Sequence, residues 1–386
     1  MTKQPDHISK KQFMEELQRY RKGSVTRRHF LNVTGLGAAS AVLGAAVPGL
    51  RPRPAFAAGE IGDRVVLATW PNYHDPENFD AFTEATGAHV QVNVFGSNEE
   101  MLAKLQAGAT GWDVFVPTNY TITTYVGEDL IEPLDTALLP NYDPNAYDPR
   151  FAEAGSVDGK LYAVPKDWGT TGFVVNTDHT GGKTLDSWKG FFDITRDTFS
   201  GRTMVHDYQL TTIGNALKYF DYSFNSVDPA ELADAEKLLI ECKPHLFAIS
   251  SDYQPSMRNG DAWMSMAWTG DGKQLNADIP AIIYVLGKEG GEIWSDYYAV
   301  PKGAPHRAAA YALINFLLDP KVNAKEVLAH GYPSADAHTN ALLPESLLND
   351  PILYPAQELL SPLEFGAAVT LTDPNRAELM ARFKSA

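Results

Sequence analysis

The sequence predicts an α/β protein made of two doubly wound lobes joined by a hinge, with a ligand cleft between the lobes. Three observations carry this. Strand-like runs alternate with amphipathic stretches from residue 64 onward, the pattern of right-handed crossovers and a mainly parallel sheet. A second set of strands and helices begins at about Phe173, with the chain crossing between the two sets more than once. Aromatic and acidic residues also stand where five strands run out: Trp70, Pro117–Tyr120, Trp168, Trp268–Asp271 and Trp294–Asp296. Open α/β sheets and interdomain crevices take ligands at such positions.

Taken in order, "RVVLATW" (Arg64–Trp70) reads as a strand. "ENFDAFTEATG" has helical spacing at Phe79, Phe82 and Ala85, with Gly87 as its stop. "HVQVNVF" (His89–Phe95) alternates as a strand. The next helix opens at a Ser97 cap with Glu100 three residues on, and ends at Gly108. "WDVFVP" (Trp112–Pro117) is a buried strand. "KLYAVPKDWGTTGFVVNTD" (Lys160–Asp178) reads as two strand-like runs around a Trp/Gly/Thr segment. "TMVHDY", "DAWMSMAWTG" and "AIIYVLG" follow as strands among helices such as Pro229–Cys242, and "RAAAYALINFLLDP" (Arg307–Pro320) is a strongly apolar helix. The predicted lobes are residues 58–170 with part of 299–386, and residues 171–298. Hinges are expected near Trp168–Gly172 and Tyr298–Pro301.

The first 57 residues read as an export segment rather than as fold. Arg27 and Arg28 precede Phe30 and Leu31, a weakly apolar Ala/Gly/Val run follows, and Ala55–Ala57 offers small residues for cleavage after Ala57. This is the form of a twin-arginine signal and places the product in the periplasm. The run is broken by Gly35, Gly37, Gly44 and Pro48, and is short of the roughly 20 apolar residues a membrane span needs. That segment holds ten of the 32 Lys/Arg and three of the 48 Asp/Glu, so the remainder carries 22 against 45, a formal charge of −23. Such a surface repels nucleic acid and anionic lipid. The single cysteine, Cys242, excludes an intramolecular disulfide and reads as a small buried hydrophobe.

The strand-end residues suit one kind of ligand. Ring faces attract an ammonium by about 0.5–2 kcal/mol each, and a carboxylate adds a charge-assisted hydrogen bond. Trp70, Tyr73, Tyr120, Trp168, Trp268 and Trp294, together with Asp271 and Asp296, would hold an amine on a short alkyl chain. Catalytic patterns are missing: there is no G-x-S-x-G, no Walker A, no H-E-x-x-H and no zinc-spaced cysteine pair. No enzymatic activity and no cofactor are therefore expected. Tyr297 and Tyr298 are the one metal candidate, as ferric-iron ligands, but strand alternation sends them to opposite faces.

In order and spacing, "TWPNYHDPENFDAFTEATGAHVQV", "SNEEMLAKLQAGATGWDVFVPTNY", "VPKDWGTTGFVVN", "MAWTGDG", "GKEGGEIWSDYYAVPKGA" and "GYPSADA" carry a resemblance over about Val65–Phe383. The chain resembles the periplasmic polyamine (spermidine/putrescine)-binding proteins of ABC importers. The resemblance implies a type II periplasmic binding protein fold, a monomer, whose cleft closes on its ligand for delivery to a membrane permease. It implies that Trp70 and Tyr73 stack on the alkyl chain, that Thr118 and Tyr120 line the site, and that Trp268 with Asp271 and Trp294 with Asp296 cage one ammonium. Leu210 stands where the family commonly has a glutamate for the distal amine, with Asp207 or Gln209 as substitutes, and Asp167 is an acid where the family is usually apolar. The alternatives are the same fold binding another amino compound, an amino-phosphonate or ferric iron, and, from a different class, an exported enzyme.

Overall fold

The computed structural model describes residues 61–108 and 111–386; the expected export segment lies outside them. Twelve strands are found there: β1 (Arg64–Thr69), β2 (His89–Val94), β3 (Val114–Phe115), β4 (Ser156–Val157), β5 (Lys160–Leu161), β6 (Ala163–Asn176), β7 (Thr203–Val205), β8 (Leu246–Ile249), β9 (Met264–Trp268), β10 (Ile282–Val285), β11 (Gly291–Ala299) and β12 (Leu363–Phe365). Helices of eight residues or more, in chain order, are α1 (Pro76–Thr86), α2 (Asn98–Gln106), α3 (Trp188–Thr195), α4 (Gln209–Tyr219), α5 (Pro229–Cys242), α6 (Thr269–Asp278), α7 (Arg307–Leu317), α8 (Pro320–His330) and α9 (Pro374–Ser385).

Local chemistry sets several boundaries. The Asp75 carboxylate accepts from Glu77 N at the start of α1, and Gly87 ends that helix at φ 83°, where a side chain would be strained. The Ser97 hydroxyl accepts from Glu100 N at 3.0 Å and opens α2.

Ten strands make one sheet ordered β2-β1-β3-β11-β6-β9-β7-β8, with β10 joined to β6 and β12 to β11. At one end β2, β1 and β3 are parallel, and β11 joins β3 antiparallel at Ala299–Phe115. At the other end β8, β7 and β9 are parallel, and β6 joins β9 antiparallel. Each half is thus a parallel run closed by one antiparallel strand. The two closing strands, β6 and β11, pair with each other from Ala163–Ala299 to Thr171–Glu292.

Apolar clusters cover both faces of both halves. Val65, Leu67 and Val114 meet Phe82 of α1 and Leu313 of α7, while Phe115 on the other face meets Met101 and Leu105 of α2. Met264 and Met266 pack with Ile213 of α4 and Leu239 of α5; Ala267 packs with Leu275 of α6. Fully burying one such side chain contributes about 1.5–3 kcal/mol. The last helix belongs with the second half: Leu379, Met380 and Phe383 enter its core. Arg376, fully buried, donates to the carbonyls of Phe224, Ser226 and Leu210.

The structure departs from the expected elements in two places. Residues 160–178 are not two runs around a break, because β6 runs unbroken for 14 residues. Its glycines mark close approaches: a Cβ at Gly169 would sit 2.5 Å from the Trp294 ring, and one at Gly172 would sit 2.2 Å from Val285 O. The short edge strands β8 and β12 were also not expected. They are held by parallel pairing to β7 and β11 rather than by a pattern of their own.

Candidate functional site

Register between β6 and β11 decides which side chains share a face. Asp296 lies opposite Asp167, Trp294 opposite Gly169 and Glu292 opposite Thr171, so all six side-chain positions project to one face. Trp168, opposite Ser295, projects to the other. A bulge between Asp296 and Tyr297 resets the register at Lys166, which also turns its ammonium toward Asp167.

Tyr73 comes from the loop after β1. Its phenol oxygen lies 2.7 Å from Asp167 Oδ1 and 2.8 Å from Asp296 Oδ2. One phenol hydrogen serves one carboxylate only, so the second short contact requires a proton on a carboxyl. Asp296 is the better holder: burial, and then the neighbouring Asp167 charge, push it up to about 8. Thr118 Oγ1 donates to Asp296 Oδ1 at 2.7 Å, and Asn98 Nδ2 fixes both the Thr118 and Tyr120 hydroxyls at 3.0 Å.

Asp167 is also raised by burial, but Lys166 opposes this. The Lys166 ammonium donates to Asp167 Oδ2 at 2.6 Å and lies 3.7 Å from the centre of the Tyr73 ring. Behind them His74 Nδ1 lies 2.7 Å from Glu326 Oε2, and His330 is held well below the usual histidine range by burial and by Lys166.

Three rings wall this carboxylate pair. Tyr332 sits 5.4 Å from Tyr73 and 5.3 Å from Trp294, over the bare backbone of Gly270. Its phenol is raised by burial and then by Asp271, Asp167 and Asp296, so it stands within electrostatic reach of acids from both halves. Asp271, in the first turn of α6, is itself raised by burial, with Gln254 and Tyr253 opposing. Trp268 precedes it, stacked among His206, Tyr208 and Tyr253, with its indole N–H donated to Tyr208. Trp70 packs on Phe95 at 4.5 Å. The indole nitrogens of Trp70 and Trp294 are buried without a hydrogen-bond partner.

Of the ten residues expected to share a site, Tyr73, Thr118, Trp294 and Asp296 come together around one point. Tyr120 is joined to them through Asn98, and Asp271 through Tyr332. Trp70 and Trp268 pack on the same core cluster as Tyr73 and Trp294.

Two of the ten are placed elsewhere. Trp168 lies on the opposite face of β6, stacked on Phe151 and beside Tyr354, lining a separate cavity of about 290 Å³. In sequence it stands where a strand is expected to end, whereas β6 continues and alternation turns it away. Asp207 is exposed and accepts from Ser251 Oγ at 2.6 Å, so local bonding accounts for it. Tyr297 donates to Phe151 O and Tyr298 packs near His74 on the other side of β11, an arrangement in which the two phenols cannot converge on an ion.

Sequence reasoning missed Lys166, Glu292 and Tyr332. Extending the alternation of Trp294 and Asp296 back two residues would have found Glu292.

The added methyl of Gly169→Ala would meet the Trp294 ring at 2.5–3.0 Å. This variant should lose about 1–3 kcal/mol of stability through overpacking, measured by urea unfolding.

The model for the bacterial extracellular solute-binding proteins matches residues 77–354. The chain is 30% identical over 309 residues to a spermidine/putrescine-binding periplasmic protein of Haemophilus influenzae, covering 79% of this chain and 84% of that one. It is 31% identical over 319 residues to a spermidine/putrescine-binding periplasmic protein of Escherichia coli, covering 81% and 90%. A solved structure from Listeria monocytogenes, described as a putative spermidine/putrescine ABC transporter, superposes with a TM-score of 0.77 at 29% identity, covering 84% of this chain and 99% of the other. The fold is that of the type II periplasmic binding proteins. The chain belongs to the bacterial extracellular solute-binding protein family.

Proposed function

We propose that this protein is a periplasmic, non-enzymatic receptor that captures a small cationic amine and delivers it to an ABC permease. The observation that carries this reading is the buried Asp296 carboxyl, held by Tyr73 and Thr118 and walled by the Trp294 and Tyr332 rings, with Asp271 across Tyr332. Rings and acids in that arrangement recognise an ammonium and an alkyl chain rather than perform bond chemistry.

In this reading the lobes are 58–170 with part of 299–386, and 171–298. The packing of α7 on the first half and of α9 on the second supports assigning the C-terminal region to both. β6 and β11 are the crossing strands, and ligand-driven closure presents the permease with a distinct surface. The export segment is of twin-arginine type, cleaved after Ala57, and the product works as a monomer with an acidic surface that does not engage nucleic acid.

A thermal-shift panel tests this with putrescine, cadaverine, spermidine, amino acids and ferric citrate. A ligand at 100 times its Kd adds about 2.7 kcal/mol, so an amine should shift the transition clearly; silence with every amine would overturn the reading. Capture should also move protons. Because Asp296 is pushed up to about 8 and must be ionised to hold an ammonium, binding at pH 7 should release on the order of one proton. Calorimetry in buffers of different ionisation enthalpy measures this, and buffer-independent heats would contradict it.

A further inference from the structure

Glu292 is an acid without a cation. It is 2% exposed, and its one hydrogen bond comes from Thr171 Oγ1 to Oε2 at 2.6 Å. Several buried or half-buried acids around it have cationic partners: Asp167 has Lys166, Glu326 has His74 and Glu364 has Lys218. Lys218, which passes Gly290, is engaged by Glu364, the β12 register neighbour of Glu292. Burial alone pushes Glu292 up to about 7, with Thr171 opposing and no charged group contributing.

The groups facing it from the surrounding elements are Thr171 of β6, Tyr284 of β10, Tyr120 from the loop after β3 and Tyr208 ahead of α4. All three phenols are raised in part by its charge. Tyr120 therefore connects both acids: it lies within the field of Glu292 and is tied through Asn98 to the Thr118 that binds Asp296.

Glu292 and Asp296 lie on the same face of one strand with Trp294 between them. Four residues of strand separate them by about 13 Å, and two charge-assisted hydrogen bonds of about 2.8 Å leave about 7–8 Å between ammonium nitrogens. That is the span of four or five methylenes. We propose that Glu292 is the second acid of the site, holding the far ammonium of an alkane diamine whose near ammonium lies at Asp296 and whose chain runs along Trp294. This rests on the amine reading given above and narrows it to a diamine of that length.

Calorimetry with putrescine, cadaverine and n-butylamine tests it on the purified protein. The monoamine engages Asp296 alone, so the diamine-to-monoamine affinity ratio isolates Glu292. In the unmodified protein that ratio should rise roughly tenfold between pH 6 and pH 8, because the carboxylate must be ionised to bind and titrates near 7. Glu292→Gln should bring the ratio close to one and remove its pH dependence, leaving n-butylamine binding as it was. Glu292→Asp, shorter by one methylene, should move the preference toward the next longer diamine. A flat ratio in the unmodified protein, or a ratio unchanged in Glu292→Gln, would overturn the assignment while leaving the amine reading intact. Failure of all three amines to bind would overturn the assignment, and silence of spermidine as well would overturn the amine reading.

Discussion

Replacing Lys166 with methionine is expected to cost the fold about 3–5 kcal/mol at pH 8, the usual penalty for stripping one partner from a buried ion pair. The side chains of Lys166 and Asp167 are each 1% exposed, and the ammonium is shared between the Asp167 carboxylate and the Tyr73 ring. Without it, Asp167 would be left beside Asp296 with no compensating charge. The variant has a pH signature. Burial already raises Asp167, and loss of Lys166 raises it further. Folding then takes up a proton, so the penalty shrinks toward pH 5 and grows as pH rises. Lys166→Met combined with Asp167→Leu should recover most of the loss, since an apolar pair of similar volume needs no counter-charge. Urea unfolding at pH 5.5 and 8 measures all of this. A single-variant loss below about 1 kcal/mol at pH 8 would show that the pair is not a strut of the site.

Asp296→Asn should weaken an amine ligand by about 1.5–3 kcal/mol, the loss of one charge-assisted bond. Asparagine copies the protonated acid: its oxygen accepts from Thr118 and its amide donates to Tyr73. The ligand-free variant should therefore match the parent only near pH 4, and should be more stable at pH 6 and more so at pH 9. In the parent, a carboxyl raised to about 8 favours folding fully only below the ordinary aspartate value of about 4, loses that advantage steadily as pH rises, and has lost it once pH passes 8. Affinity lost with stability retained identifies Asp296 as a ligand contact. Calorimetry and thermal melts on the same samples separate the two, and loss of both would assign it to the scaffold.

Much of the fold could be read from residues 64–108, where a capping serine, a terminal glycine and a period-two strand are local signals. The site was legible wherever one strand carried several of its members, as with Trp294 and Asp296. It was illegible where tertiary register decided. Trp168 looks like its neighbours in sequence, and only the continuity of β6 through two glycines shows that it faces away. Lys166 gave no signal because a bulge, which is a property of the pairing with β11, turns it inward. Tyr332 is brought in by the loop after α8, more than 30 residues from the strand it covers.

The buried guanidinium of Arg376 has a consequence for how the chain is made. It ties the loop at Phe224–Ser226 and the first turn of α4 to the final helix, whose Leu379 and Phe383 complete the same core. Residues 171–298 are synthesised long before that helix, yet their apolar face at α5 stays uncovered until residues 374–385 have left the ribosome. Domains generally fold in the order they emerge, but here the middle of the chain waits for its end. A truncation just before Pro374 should hold the nascent protein in an open, aggregation-prone state, with its first half already formed.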